Sequence, residues 1–313
     1  MTAPAGLGAV LLAVVALVGR DLVAGQTFRA GVDAVRVDVL VTADGRPVTG
    51  LAASDFELRD NGVVQEIRTL DVEDVPVTLT MVLDVSESVE GEPLAHLRGA
   101  IIAADEALSA DDRLSLVTFS DRLDLQGPAS EDRARVRERA QAVKAGGATA
   151  LYDATLAALL MRPRIEGRMV MLVFSDGGDT SSWLDPRTVI TAAQRSDVVI
   201  YGVTLRQQVE QRNLREARQN QLERDWFNEV PASFGRHFLP LLAEDTGGSV
   251  LVAERSDRLR QTFVRVISEF KSRYVLSYTP SGVEQGGWHP IEVRLRGRRG
   301  DVTARRGYLR APR

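Results

Sequence analysis

The residues with the most chemical promise in this 313-residue chain are Asp84, Ser86 and Ser88, which read Asp-Val-Ser-Glu-Ser directly after the apolar run Val77 to Leu83. In an extended loop, alternation turns the three side chains the same way, so that one carboxylate and two hydroxyls converge. Two further loops add oxygen donors. Thr149 follows Gly146-Gly147-Ala148, and Asp176 stands in Phe174-Ser175-Asp176-Gly177-Gly178, again at the end of an apolar run. Carboxylate and hydroxyl oxygens suit a hard divalent cation, Mg2+, Ca2+ or Mn2+, whereas zinc or copper would call for His or Cys. The chain has no cysteine, and His96, His237 and His289 lie in different elements without ligand spacing. Two carboxylates and three hydroxyls leave an octahedral ion short of a full shell, so water or a partner's oxygen must complete it.

Taken alone, Asp-x-Ser-x-Ser is a weak signal, because Ser and Asp are common caps and turn formers at a strand-to-helix junction. Thr149 and Asp176 at the ends of other expected elements give it weight. Metal-assisted hydrolysis is the competing chemistry, since strand-end aspartates with Mg2+ also serve phosphoryl transfer. Against it, no second aspartate stands two residues after Asp84, no phosphate-cradling glycine motif opens a helix, and no Gly-x-Ser-x-Gly elbow is present. A third reading is structural, with the metal only stapling loops. Asp153 and Asp179 are candidates for supporting or capping roles, Glu87 is expected to face solvent, and Trp183 either packs locally or contacts a partner.

The elements that must position these residues alternate between short apolar strands and helical segments from Pro76 onward, the grammar of a parallel sheet covered on both faces. Strands are expected over 77–83, 114–119, 123–125, 169–174, 198–205 and 249–253, and helices over 94–108, 131–144, 151–161, 186–195, 238–244 and 257–270. Before this stretch, Val35 to Val41 alternate and Asp60-Asn61-Gly62 marks a hairpin. After it, 274–278, the alternation Ile291, Val293, Leu295, and 302–308 again read as strands, with the arginines between 294 and 306 on a polar hairpin face. Each flank alone offers too few strands to be stable, so the two are expected to pair into one β module. The division is therefore 1–25, a signal peptide or N-terminal anchor; 26–74, an N-terminal β flank; 75–271, a doubly wound α/β domain with a mostly parallel sheet, carrying a charged insert at 206–230; and 272–313, a C-terminal β flank.

Composition bounds the partners. A formal net charge of -4 and 44% hydrophobic residues describe a folded protein with no basic excess for nucleic acid. The apolar run Leu7 to Val18, followed by Val23-Ala24-Gly25, is too short to span a bilayer and reads as a secretory segment. Membrane contact is expected only where that segment stays uncleaved. Oligomeric state is not encoded in any pattern of the chain.

Together, Asp-x-Ser-x-Ser after the first strand, a threonine in a later loop and Asp-Gly after the fourth strand resemble the metal-ion-dependent adhesion site of von Willebrand factor type A domains. The runs Val-Thr-Ala-Asp-Gly-Arg-Pro-Val-Thr-Gly-Leu, Gly-Gly-Ala-Thr-Ala-Leu-Tyr-Asp and the terminal Gly307-Tyr308 are similar to those of a group of bacterial secreted proteins related to that family. The resemblance implies that Ser86, Ser88 and Thr149 are ligands through their hydroxyls, and that Asp84 and Asp176 ligate directly or through water. It further implies a non-catalytic, metal-dependent binding function, in which a protein partner contributes an acidic side chain, in the periplasm, at the cell envelope or outside the cell. One short antiparallel edge strand is expected on the same ground.

Overall fold

The computed structural model describes residues 34–71, 75–129, 132–161, 167–175, 178–206, 233–284 and 286–310. Of the features expected from sequence, the segment 1–25, Asp176 and all of the 206–230 insert except Arg206 lie outside the described residues.

The N-terminal flank supplies β1 (Val35–Ala43), β2 (Arg46–Pro47), β3 (Phe56–Asp60), β4 (Val63–Gln65) and β5 (Ile67–Asp71). Two turns have left-handed backbone: the Asn61-Gly62 hairpin marked in the sequence, at φ 48° and 78°, and Asp44-Gly45 between β1 and β2, at 50° and 72°. Two consecutive positive φ values match the right-handed twist of the flanking strands.

In the α/β domain, β6 (Val77–Asp84), α1 (Glu92–Glu106), β7 (Arg113–Phe119), β8 (Leu123–Gly127), α2 (Arg133–Ala142), α3 (Leu151–Leu160), β9 (Arg168–Phe174), α4 (Pro186–Gln194), β10 (Val199–Leu205), α5 (Ser233–Thr246), β11 (Val250–Ala253) and α6 (Leu259–Lys271) follow in order. The sheet runs β11-β10-β9-β6-β7-β8. All neighbours are parallel except β8, which lies antiparallel to β7 at the edge. The strands are apolar on both sides because both sides are covered: α1, α2 and α6 bury one face, and α3, α4 and α5 the other. Successive crossovers leave β6 in opposite directions, so the gap between the ends of β6 and β9 is the switch point, where loops diverge and leave room for a ligand. Asp84 ends one of those strands.

The C-terminal flank adds β12 (Tyr274–Tyr278), β13 (Gly287–Leu295), β14 (Asp301–Thr303) and β15 (Gly307–Arg310). The two flanks pair into a β module of two sheets: β14-β1-β12-β5, with β2 on β1, and β15-β13-β3-β4. Val37, Val39, Phe56, Leu58, Tyr274, Leu276 and Tyr278 fill its core. Two expectations need correction here. The single strand expected over 302–308 is two strands in different sheets, because the chain bends at Ala304-Arg305-Arg306. Arg305 is accordingly not on a polar hairpin face but buried: its Nε donates to Gly307 O at 2.7 Å and its guanidinium reaches Gln194 O at 3.2 Å. The helix expected over 238–244 is also longer, starting at Ser233 and running through Pro240.

Charged side chains bolt the module to the bottom of the α/β sheet. Arg168 Nε and a terminal nitrogen donate to Asp38 Oδ1 at 2.9 and 2.6 Å, and the fully buried Arg273 donates twice to Tyr201 Oη at 3.0 and 2.8 Å. Such charges are tolerated in the interior only because their hydrogen bonds are met.

Candidate metal centre

Asp84 is the last residue of β6 and is 2% exposed. Its Oδ1 accepts the Ser86 backbone N–H at 2.9 Å, and its Oδ2 accepts the Ser175 hydroxyl at 2.9 Å. These bonds hold the carboxylate plane across the switch point between β6 and β9. Ser86 is buried and extended, but Glu87 to Val89 form a 3-10 turn. Convergence therefore does not come from strand-like alternation, as the sequence suggests; the turn folds Ser88 back, and the two hydroxyl oxygens lie 3.2 Å apart. That separation can be compared with the edge of a metal octahedron. Ligand distances of about 2.1 Å for Mg2+ and about 2.4 Å for Ca2+ give edges of roughly 3.0 and 3.4 Å. The serine pair falls between them, and the donor set is all oxygen, so the residues fit a hard cation.

The Thr149 loop is tied directly to this turn. Gly146 N donates to Val85 O at 2.8 Å and Glu87 N to Gly147 O at 3.1 Å, a two-bond bridge between the loops, while Ala150 N donates to Ser120 O at 2.8 Å. Gly147 has φ +87°, and a Cβ there would collide with the Asp121 carboxylate, so glycine is needed for the approach. Thr149 itself is buried, its N–H donating to Thr180 Oγ1 at 2.9 Å and its carbonyl accepting Thr180 N at 2.8 Å. The structure thus brings Asp84, Ser86, Ser88 and the Thr149 loop together. Asp176 directly follows Ser175 in sequence, outside the described residues.

Three participants, Ser175, Thr180 and Ser182, were not predicted from sequence. Ser175 orients Asp84; its one sequence signal is its place between an apolar strand and Asp176. Thr180 and Ser182, with Asp179, fasten the next loop. Asp179 Oδ2 accepts Tyr152 N at 3.2 Å at the start of α3, and Ser182 Oγ lies 3.1 Å from the same amide. Asp153 works in the other direction, its two oxygens accepting Trp183 N at 3.0 Å and Leu184 N at 3.1 Å. Glu87 is exposed, as expected.

Among the described residues no three His, Cys, Asp or Glu side chains gather as a metal cluster. A cleft of about 540 Å³ opens at the other end of the strands, lined by Val77, Asp112, Arg168 and Lys271. Lys271 pairs with Asp112 at 2.6 Å and Arg168 with Asp38 outside the lining, while Asp111, also on the lining, is exposed. Burial opposes the charge on Asp112, yet the Lys271 ammonium and the amides of Val77 and Ser109 outweigh it and hold its carboxyl below the usual range.

A doubly wound sheet with an oxygen-donor site at its switch point defines the class of protein. Residues 78–230 match the profile of the von Willebrand factor type A domain, and the chain carries a domain of that family. Over 81 residues it is 32% identical to the uncharacterized protein sll0103 of Synechocystis, a match covering 25% of this chain and 19% of that one. In structure it is similar to proximal thread matrix protein 1 from the mussel byssus, with 16% identity, 68% of this chain and 51% of that chain covered, and a TM-score of 0.50. A von Willebrand factor type A protein from Catenulispora acidiphila aligns at 13% identity over 80% of this chain and 71% of its own, with a TM-score of 0.48. The chain therefore spans about half the length of the mussel protein, or less for the Synechocystis one. No described helix is long and apolar enough to cross a membrane.

Proposed function

We propose that the chain is a non-catalytic binding protein that captures a protein partner through a divalent cation held by Asp84, Ser86, Ser88, Thr149 and Asp176. The observation that carries this reading is the pair of serine hydroxyls 3.2 Å apart beside a buried carboxylate at the switch point. When bound, the cation, with Mg2+ the first choice and Ca2+ or Mn2+ as alternatives, supplies an open position that a Glu or Asp of the partner fills. The chain's own groups do the positioning. Ser175 and the Ser86 amide fix the Asp84 carboxylate, the 3-10 turn folds Ser88 beside Ser86, and the bridge at Gly146 and Glu87 sets the Thr149 loop against them. The secretory character of the first residues supports action in the periplasm, at the envelope or outside the cell, with 75–271 as the binding domain and the flanks as its support.

Two alternatives make different predictions. A metal-assisted hydrolase would turn over generic phosphoester or ester substrates and lose that activity on Ser86→Ala. A purely structural site would raise thermal stability with Mg2+ without any metal-dependent capture. The deciding experiment is capture of envelope proteins by the mature chain in Mg2+ and in chelator. Binding that survives chelator or Asp84→Ala sinks the proposal.

A further inference from the structure

Trp183 is 96% exposed, yet its backbone is among the most firmly held in the site loops. The segment 180–185 is tied on both sides of the indole. Thr180 and Ser181 donate to Thr149 O at 2.8 and 3.1 Å, Ser182 is clamped by Asp179, Trp183 and Leu184 donate to Asp153, and Asp185 caps α4 by accepting Arg187 N at 2.7 Å. A large aromatic in open solvent forgoes the stabilisation that burial would give it. Here it stands on a rigid platform hydrogen-bonded to the same Thr149 carbonyl that fixes a proposed ligand. Rigid, exposed tryptophans are the side chains that most often dominate protein interfaces, because little entropy is lost when they dock.

The charge around the platform specifies what docks. Glu87, Glu90, Asp121 and Asp185 are exposed in the loops that build or touch the site, and the Asp153 carboxylate lies under the Trp183 backbone. Among the described residues of those loops the only bases are Arg122 and Lys144. Asp153 and Asp185 accept backbone amides at Trp183, Leu184 and Arg187, whereas Glu87, Glu90 and Asp121 cap no helix start among the described residues, so the described part of the rim is acidic. A uniformly acidic partner would be repelled before its carboxylate reached the metal. An indole face next to carboxylates favours a cation.

We infer that the partner surface is basic around one carboxylate, and that an Arg or Lys of the partner stacks on Trp183 while the carboxylate reaches the metal site. This rests on the metal-dependent reading above and narrows the kind of partner it admits. The test uses the mature chain with saturating Mg2+ and three sets of synthetic peptides, each with one central Asp flanked by Arg and Lys, by Ser and Ala, or by Glu. Calorimetry should rank the basic set at least about tenfold above the acidic set. Trp183→Ala should weaken the basic set by roughly five- to tenfold, an effect of the size expected for a cation over an indole face. Trp183→Phe should keep most of the affinity, and Mg2+ binding alone should be unchanged in both variants. Equal affinity across the three sets, no measurable binding of the basic set, or a Trp183→Ala protein that binds like the parent overturns the inference. Failure of the parent chain to bind Mg2+ at all would instead overturn the metal-dependent reading, and the calorimetry with Mg2+ alone separates the two.

Discussion

Two polar clusters in this molecule are built on the same principle and come to opposite ends. At the top of the α/β sheet, buried Asp84 accepts a serine hydroxyl and an amide, and the cluster opens to solvent at Ser88. Inside the β module, the fully buried Asp60 accepts His289 Nδ1 at 2.8 Å, Tyr278 Oη at 2.8 Å and Tyr308 Oη at 3.0 Å, with the His289 and Tyr308 rings stacked 4.8 Å apart. Large aromatic donors seal the second cluster, whereas the first is built from small hydroxyls and stays open to solvent at Ser88. The difference teaches that a buried aspartate becomes a site or a staple according to the size of the donors around it.

The largest effect should come from cutting the staple. Asp60→Ala strands two buried donors and the half-buried Tyr308 hydroxyl and should cost about 3 to 5 kcal/mol, lowering the melting temperature by roughly 10 °C, while Mg2+ still stabilises the variant in a thermal melt. If Asp60→Ala is neutral, the cluster is not a staple. Asp84→Ala should behave in reverse. Its melt without metal should shift little by comparison, but the Mg2+-induced rise, about 2.7 kcal/mol at one hundred times the dissociation constant, should vanish. Retention of that rise would remove Asp84 from the ligand set.

High pH separates the clusters without mutation. Burial, followed by the Asp60 carboxylate, pushes the Tyr308 phenol up to about 12, and burial raises Tyr278 as well. Both hold their protons more tightly folded than unfolded, where tyrosine titrates near ~10. Their stabilisation is complete below about pH 10 and is lost as the pH climbs from there through the folded values. Urea midpoints should therefore fall steeply above about pH 10, and less steeply in Tyr308→Phe; parallel curves would contradict the assignment. A smaller effect is expected for Gly147→Ala, where strain at positive φ and the collision with Asp121 should cost about 1 to 2 kcal/mol and weaken Mg2+ binding severalfold. The smallest belongs to Trp183→Ala, within about 0.5 kcal/mol of the parent in urea, as for other exposed positions.

Much of this was legible in the residues themselves. Continuous apolar runs announced the two-sided sheet, and Asn61-Gly62 announced its hairpin, because each pattern has one cheap backbone solution. Asp84, Ser86 and Ser88 could be found because they stand at a strand end, and Thr149 because a glycine-rich loop presents it just before a helix. What could not be read was the agent of their convergence. A 3-10 turn of Glu-Ser-Val carries no distinctive residue, and the bridge from Val85 and Glu87 to the glycine loop joins positions about sixty residues apart through backbone atoms alone. The break at Arg305 was hidden for a related reason: an arginine buried by carbonyl contacts looks, in sequence, like any other in a basic run. Likewise Asp60 and His289 stand in strands with ordinary alternation, and only the register of β3 on β13 reveals them as partners.

The pairing of β1 with β12 and β14, and of β3 with β13, also imposes an order of assembly. Every element of the α/β domain is synthesised between the halves of the β module. The domain can therefore complete its own contacts while the N-terminal strands still wait for neighbours that the ribosome has not yet made. Those strands carry Val37, Val39, Phe56 and Leu58 with open edges during that interval, the condition under which nascent chains associate with one another. A chain halted after residue 271 keeps that exposure permanently, so β12, β13 and β14 act as a built-in cover for β1 and β3, and their emergence is the event that ends the hazard.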